Sequence, residues 1–316
     1  MSVVLNCIEI FLDDGFIYAI LAMGYFISYS TLDFPDLTVE GTVVTGAVSF
    51  GLLVRNSVFP VNPWIAMIIS FGICCLCGAV TGLLHVKLKI RPLLCGILMS
   101  TALLSINLVI TAVGMGGTFA GEGALTTIQI GRRIPTIFKN MPEKFLNTDY
   151  YGINIRKMVI LLFVTIVVKL IIDWYLKTKN GLMLRAAGNN EQYVSMMAKN
   201  PGNYKILGLA IGNGLAGVTG ALLAQSRGSA TQTMGQGMIV IGIASVIIGT
   251  SLFAKIRFMK PTTKVILGAI IYQACLSIAI ALGVPSAYNK LIMAVLFTLA
   301  LVLSGSARKS DSQVRS

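Results

Sequence analysis

Four polar residues stand inside otherwise apolar stretches of this 316-residue chain: Glu40, Asn107, Asn213 and Gln273. In lipid such a group is costly, so it marks either an interhelical hydrogen bond or a place where a solute passes. Glu40 is the sharpest case. The run Leu32-Asp33-Phe34-Pro35-Asp36-Leu37-Thr38-Val39-Glu40-Gly41 reads as a helix break followed by a capped restart. Pro35 is expected at the first helical position, with acids near the positive helix end. Glu40 then either caps backbone groups at the break or faces a pathway, and the residue types do not choose between the two.

Enzyme chemistry is not visible. His85 is the one histidine, and there is no H-E-x-x-H, no Ser/His/Asp set and no G-x-x-x-x-G-K-[ST] phosphate loop. Any ATP and magnesium used in this protein's work would be bound by another chain, and no cofactor or metal is expected here. Cys74, Cys75, Cys77, Cys95 and Cys275 lie in apolar runs and read as small packing residues. Gly212-Asn213-Gly214-Leu215-Ala216-Gly217 spells a dinucleotide motif, but it has no strand before it and no acid about 20 residues after it. Glycines there let helix backbones approach, with Gly208, Gly212 and Ala216 on one face.

The elements that must carry these residues follow from composition. The chain is 55% hydrophobic and 12% charged, with formal net charge +13. Soluble domains are about 25% charged. This composition excludes a cytosolic enzyme, a disordered chain and a disulfide scaffold, and suits a chain whose solvent is lipid. The excess of Lys and Arg then follows membrane topology and gives no reason to expect nucleic acid. Stretches of about 20 apolar residues recur at 16–31, 37–54, 63–84, 92–112, 156–176, 205–225, 236–254, 264–282 and 288–305. An all-α polytopic bundle of about nine crossings is expected, with eight or ten also fitting. With the N-terminus outside and the C-terminus cytoplasmic, fifteen Lys and Arg residues fall inside, against three in the short outer loops.

Residues 1–305 thus form one transmembrane domain, with an outer loop at 113–155, an inner loop at 177–204 and a polar tail at 306–316, expected to be disordered. Val80-Thr81-Gly82-Leu83-Leu84 in the third span is echoed by Val218-Thr219-Gly220-Ala221-Leu222-Leu223 in the sixth, which runs the opposite way. That is either an inverted repeat or chance among Gly/Ala/Val/Leu-rich helices. In the inner loop, Lys177-Thr178-Lys179-Asn180-Gly181 reads as a helix C-terminus. Asn189 or Asn190 then caps a short helix over about 190–199, which Asn200-Pro201-Gly202 stops.

Three stretches together carry a resemblance: Leu32–Gly41; Arg185-Ala186-Ala187-Gly188-Asn189-Asn190 with Lys205–Ile211 and Gly214–Gln225; and Gly235–Gly249. The chain resembles the permease subunits of bacterial ATP-binding-cassette importers in the branched-chain amino acid and ribose superfamily, over most of residues 20–305. The resemblance implies a multi-pass protein of the cytoplasmic membrane that pairs with a second permease, most simply its own copy. Two cytoplasmic ATPase subunits would drive it, and an extracytoplasmic binding protein would deliver a small polar solute, by resemblance an amino acid. Arg185 to about Asn200 would be the coupling element, with Gly188 as its hinge, Asn189 and Asn190 at its start, and Glu191 and Tyr193 facing the ATPase. The alternative is a stand-alone ion-coupled secondary transporter, which would suit the echo and Glu40 but leaves the inner loop without a task.

Overall fold

The computed structural model describes residues 2–55, 61–114, 116, 127–131, 134, 136–138, 149–150, 153–256, 258–285 and 288–314. Most of the outer loop expected at 113–155, including Gly117, Gly121, Gly123, Arg132, Arg133 and Pro135, lies outside them. Eleven α-helices occur among the described residues: α1 (Ser2–Tyr25), α2 (Val39–Arg55), α3 (Pro63–Leu88), α4 (Pro92–Gly114), α5 (Ile155–Tyr175), α6 (Lys179–Asn189), α7 (Glu191–Met196), α8 (Pro201–Arg227), α9 (Met238–Leu252), α10 (Pro261–Ala281) and α11 (Asn289–Val314). Four of them begin with proline, whose fixed φ suits the first turn and whose missing N–H would have no helical partner there. Asn62 and Asn200 cap two of these starts, each accepting from the backbone N–H two residues on, at 3.1 and 2.9 Å.

Among the described residues six segments are long and apolar enough to cross a membrane: Ile8–Thr31, Pro63–Leu88, Pro92–Gly114, Pro201–Arg227, Gln232–Leu252 and Pro261–Ala281. α5 and α6, bent by 78° at their break, would make a seventh if taken as one span. The expected spans at 37–54 and 288–305 fall short of this length: α2 has 17 residues, and the apolar part of α11 runs from Lys290 to Val302. The backbone of α11 continues to Val314, into the tail expected to be disordered.

The single domain read from the sequence divides into two compact units. The first comprises Met1–Phe26, Glu143–Asp173 and Ile239–Ser316. In it α1 packs along α10, where Gly15 brings its backbone against Ile270. A two-stranded ribbon, β2 (Asp149–Tyr150) with β3 (Ile153–Asn154), precedes α5.

The second unit comprises Ile27–Pro142 and Trp174–Met238. Its centre is α8, which packs against α2 on one side and α3 on the other. The contacts are of backbone on backbone. A Cβ at Gly220 would strike the Val43 carbonyl, one at Gly46 the Gly217 carbonyl, and one at Gly78 the Leu209 carbonyl. Gly214 and Gly217 face Cys75 and Cys74 of α3. The glycine-rich run thus works by close approach, although Gly214, Gly217 and Gly220 make these contacts in addition to Gly208, which meets Leu32 and Leu184. Antiparallel strands β1 (Thr127–Gln129) and β4 (Ser229–Thr231) pair Ile128 with Ala230, and a 3-10 turn (Gln232–Gly235) leads from β4 toward α9.

Candidate functional site

The helix break expected before Glu40 is present. A π-helical segment, Phe26–Thr31, follows α1, and Asp33 takes a left-handed φ of 52°. α2 restarts at Val39. Pro35 is not its first residue, as expected from the sequence, but lies four positions earlier in the connection. The restart is organised by Asp36 instead. Its Oδ1 accepts the Thr38 N–H at 2.9 Å, and its Oδ2 accepts from Asn213 Nδ2 at 2.6 Å. Asn213 donates also to the Leu209 carbonyl at 3.0 Å and accepts from Thr42 Oγ1 at 2.9 Å. The Thr38 and Thr81 hydroxyls meet at 3.1 Å. All five side chains are buried. Burial pushes the Asp36 carboxyl above the ordinary aspartate range, opposed by the hydrogen bonds from Thr38 and Asn213, which favour its charged form.

Asn213 therefore has both amide hydrogens and its oxygen engaged by protein, which is the geometry of an interhelical tie. Glu40 and Asn107 stand on the other side of the restart. Glu40 Oε1 accepts the Gly237 N–H at 2.9 Å, so the carboxylate caps backbone at the approach to α9, not at its own break. Asn107 of α4 donates to the Gly41 carbonyl at 3.3 Å, and Thr111, one turn on, donates to the Asn107 carbonyl at 2.7 Å. Asn107, Asn213 and Glu40 thus converge on the first turn of α2. Gln273 is buried on α10 in the first unit and does not belong to this group.

The inner loop is more helical than expected. α5 stops at Tyr175, and Thr178 caps a new helix, accepting from the Gly181 N–H at 3.3 Å. Gly181 therefore lies in the first turn of α6 and is not the end of α5. Gly188 also lies within α6, and its backbone is pressed against Thr31 and Leu32. It is a packing glycine, not the expected hinge, because a helical residue held on backbone has no free rotation to supply. Asn190 separates α6 from α7, with its Oδ1 accepting from Gln192 N and Tyr193 N at 3.0 and 3.2 Å. The six-residue α7 is shorter than the stretch 190–199, and Asn200 begins α8 as well as closing the loop. Val194 anchors α7 in the interior, while Tyr193, Met196 and Met197 are exposed. Arg185 and Asn189 are exposed on α6, and Glu191 pairs with Lys205 of α8.

The sequence matches the family described as the permease component of the branched-chain amino acid transport system, over residues 7–301. The chain belongs to this permease family. It is 36% identical over 304 residues to the tyrosine transport system permease protein of Clostridioides difficile, covering 95% of this chain and 93% of that one. An uncharacterized protein of Rickettsia prowazekii is 30% identical over 311 residues, 97% of this chain and 100% of its own. A nucleoside ABC transporter permease protein of Lactococcus lactis is 30% identical over 229 residues, 68% of this chain and 66% of that one. No solved structure matches. The chain is a multi-pass inner-membrane permease of the ATP-binding-cassette superfamily, and its relatives named here by function are transport components.

The permease holds more charge inside its helices than Glu40 alone. In the first unit Asp173 of α5 accepts from Lys169 at 3.3 Å, Lys260 at 3.1 Å and Thr262 Oγ1 at 2.5 Å. Asp13 of α1 pairs with Lys157 at 2.8 Å. Sequence reasoning missed both acids and the burial of Asp36, since each is set by partners distant in the chain. Among the described residues no group of three His, Cys, Asp or Glu side chains could hold a metal ion.

Proposed function

We propose that the permease forms the translocation pathway of an ATP-driven importer for an amino-acid-type solute. Two copies would pair, two cytoplasmic ATPase subunits would dock on them, and an external binding protein would deliver the solute. In this reading the N-terminus is outside, the C-terminus is cytoplasmic, and α6–α7 is the coupling element. About nine crossings then require α2 and α11 to count as spans beside the longer helices. Arg185, Asn189, Glu191 and Tyr193 supply the ATPase-facing surface, while Gly188 and Asn190 fix its shape.

The observation that carries the proposal is the exposed α6–α7 segment in a chain matching the family from residue 7 to residue 301. A six-residue helix with one buried side chain is too short to be stable alone. Its exposed tyrosine and methionines suit a partner surface. One relative that is similar over nearly its whole length is named for tyrosine, which makes L-tyrosine the first solute to try. The test is uptake into proteoliposomes holding the permease, ATPase and binding protein. ATP-dependent accumulation of L-tyrosine is expected. Accumulation that proceeds without ATP, driven by an ion gradient, would replace this reading with a secondary transporter.

A further inference from the structure

Where α2, α4 and the 3-10 turn meet, two buried acceptors find no hydrogen-bond donor among the described residues: Asn107 Oδ1 and Gln232 Oε1. The hydrogen bonds of the same side chains fix which amide atom is which. Asn107 Nδ2 faces the Gly41 carbonyl, which can only accept. Thr111 Oγ1 has given its proton to the Asn107 carbonyl, so it can only accept from Gln232 Nε2, at 3.5 Å. Turning the Asn107 amide over would set its oxygen against the Gly41 carbonyl, and turning the Gln232 amide over would draw the Thr111 hydroxyl away from its 2.7 Å bond to the Asn107 carbonyl. The two orphan oxygens belong to side chains joined through Thr111, with Asn107 and Thr111 one turn apart on α4. Glu40 brings a carboxylate to the end of the same connection, where its Oε1 accepts the Gly237 N–H. Glu40 directly precedes Gly41, and the Glu40 carbonyl is where a Cβ on Gly235 of the 3-10 turn would collide.

Two acceptors without donors, next to a carboxylate, select a group that only donates. A primary ammonium carries three donors and no acceptor, together with the complementary charge. A carboxylate or phosphate would be repelled, and a hydroxyl would bring lone pairs of its own. We infer that Asn107 Oδ1 and Gln232 Oε1, beside Glu40, form the subsite that takes the ammonium group of the transported solute. This rests on the importer reading above and adds to it the part of the solute that the permease itself recognises. Gln232 had not been singled out in the sequence, because a glutamine next to a turn carries no signal of burial.

The test uses the complete complex, with permease, ATPase and binding protein, in proteoliposomes supplied with ATP, and labelled L-tyrosine and uridine as probes. Gln232→Leu removes one acceptor at similar size and should lower tyrosine uptake about tenfold, as loss of one hydrogen bond to a charged group does. Gln232→Glu restores an acceptor and should recover most of that loss. Wild-type tyrosine uptake in Gln232→Leu would overturn the subsite, as would equal losses in both variants. ATP-dependent accumulation of uridine without tyrosine would also overturn it while leaving the importer reading in place. Absence of ATP dependence for both probes would refute the importer reading itself. A second measurement needs no variant and no binding protein. Millimolar tyramine, which keeps the ammonium, should raise the melting temperature of the purified permease more than 3-(4-hydroxyphenyl)propionate, which keeps the carboxylate. Equal or reversed preference would overturn the assignment.

Discussion

Gly188→Ala separates a hinge from a packing contact. At a hinge, alanine is a mild change, since it is the best helix former and gains about 1 kcal/mol over glycine inside a helix. At a backbone contact it is severe. A Cβ on Gly188 would lie 2.9 Å from Leu32 Cα and closer still to the Thr31 carbonyl oxygen. Ordinary contact needs roughly 3.5 Å or more, so α6 must move away from the 31–32 segment by at least half that discrepancy on each side. Neither partner is the end of a flexible side chain, so the cost belongs at the upper end of the overpacking range, about 3 kcal/mol. Subtracting the helix gain leaves about 2 kcal/mol of net destabilisation. At roughly 2–4 °C per kcal/mol for a domain of this size, the melting temperature should fall by about 4–8 °C. The assay is thermal unfolding of the purified permease, with the ratio of solute moved to ATP hydrolysed measured alongside. A melting temperature equal to or above wild type would refute the packing argument and return Gly188 to the hinge role.

Asn190→Ala removes the cap of α7 and should cost about 1 kcal/mol locally, seen as faster amide exchange over residues 191–197. Asn190→Asp keeps the acceptor and should exchange like wild type. Glu40→Ala leaves the Gly237 N–H without its acceptor and should lower the melting temperature by a margin equivalent to about 1–3 kcal/mol. Glu40→Gln keeps an oxygen for that bond and should melt close to wild type; equal melting of the two variants would mean that the Gly237 bond does not support the fold.

What was legible in the sequence was local. The helix starts near 63 and 92 and the cap at Asn190 depend on neighbours a few residues away, and their signals are present in short windows, whereas Asn200-Pro201 read as a stop although the same pair also begins α8. The break before α2 was legible for the same reason, though its organiser was not. Asp36 and Asn213 are 177 residues apart, and nothing near either one announces the other. Gly188 failed in the same way, because the backbone it rests on is at residues 31–32. The Lys177–Gly181 stretch misled by offering cations followed by glycine, a C-terminal signature, while Thr178 was the stronger signal as a cap. Asp173 was passed over inside an apolar run, since a single acid gives no hint that Lys260 and Thr262 will arrive beside it.

The glycine contacts along α8 have a thermodynamic consequence. Where backbones touch inside a membrane, cohesion comes from dispersion and fixed geometry, because lipid offers little of the water-driven force that closes a soluble core. The large heat-capacity change of ordinary unfolding comes from wetting apolar surface. Separation of α2, α3 and α8 within the bilayer would wet little of it. The stability of this unit should therefore vary almost linearly with temperature, without the curvature that brings soluble proteins toward cold denaturation. Storage in the cold should preserve it, and warming should loosen it steadily.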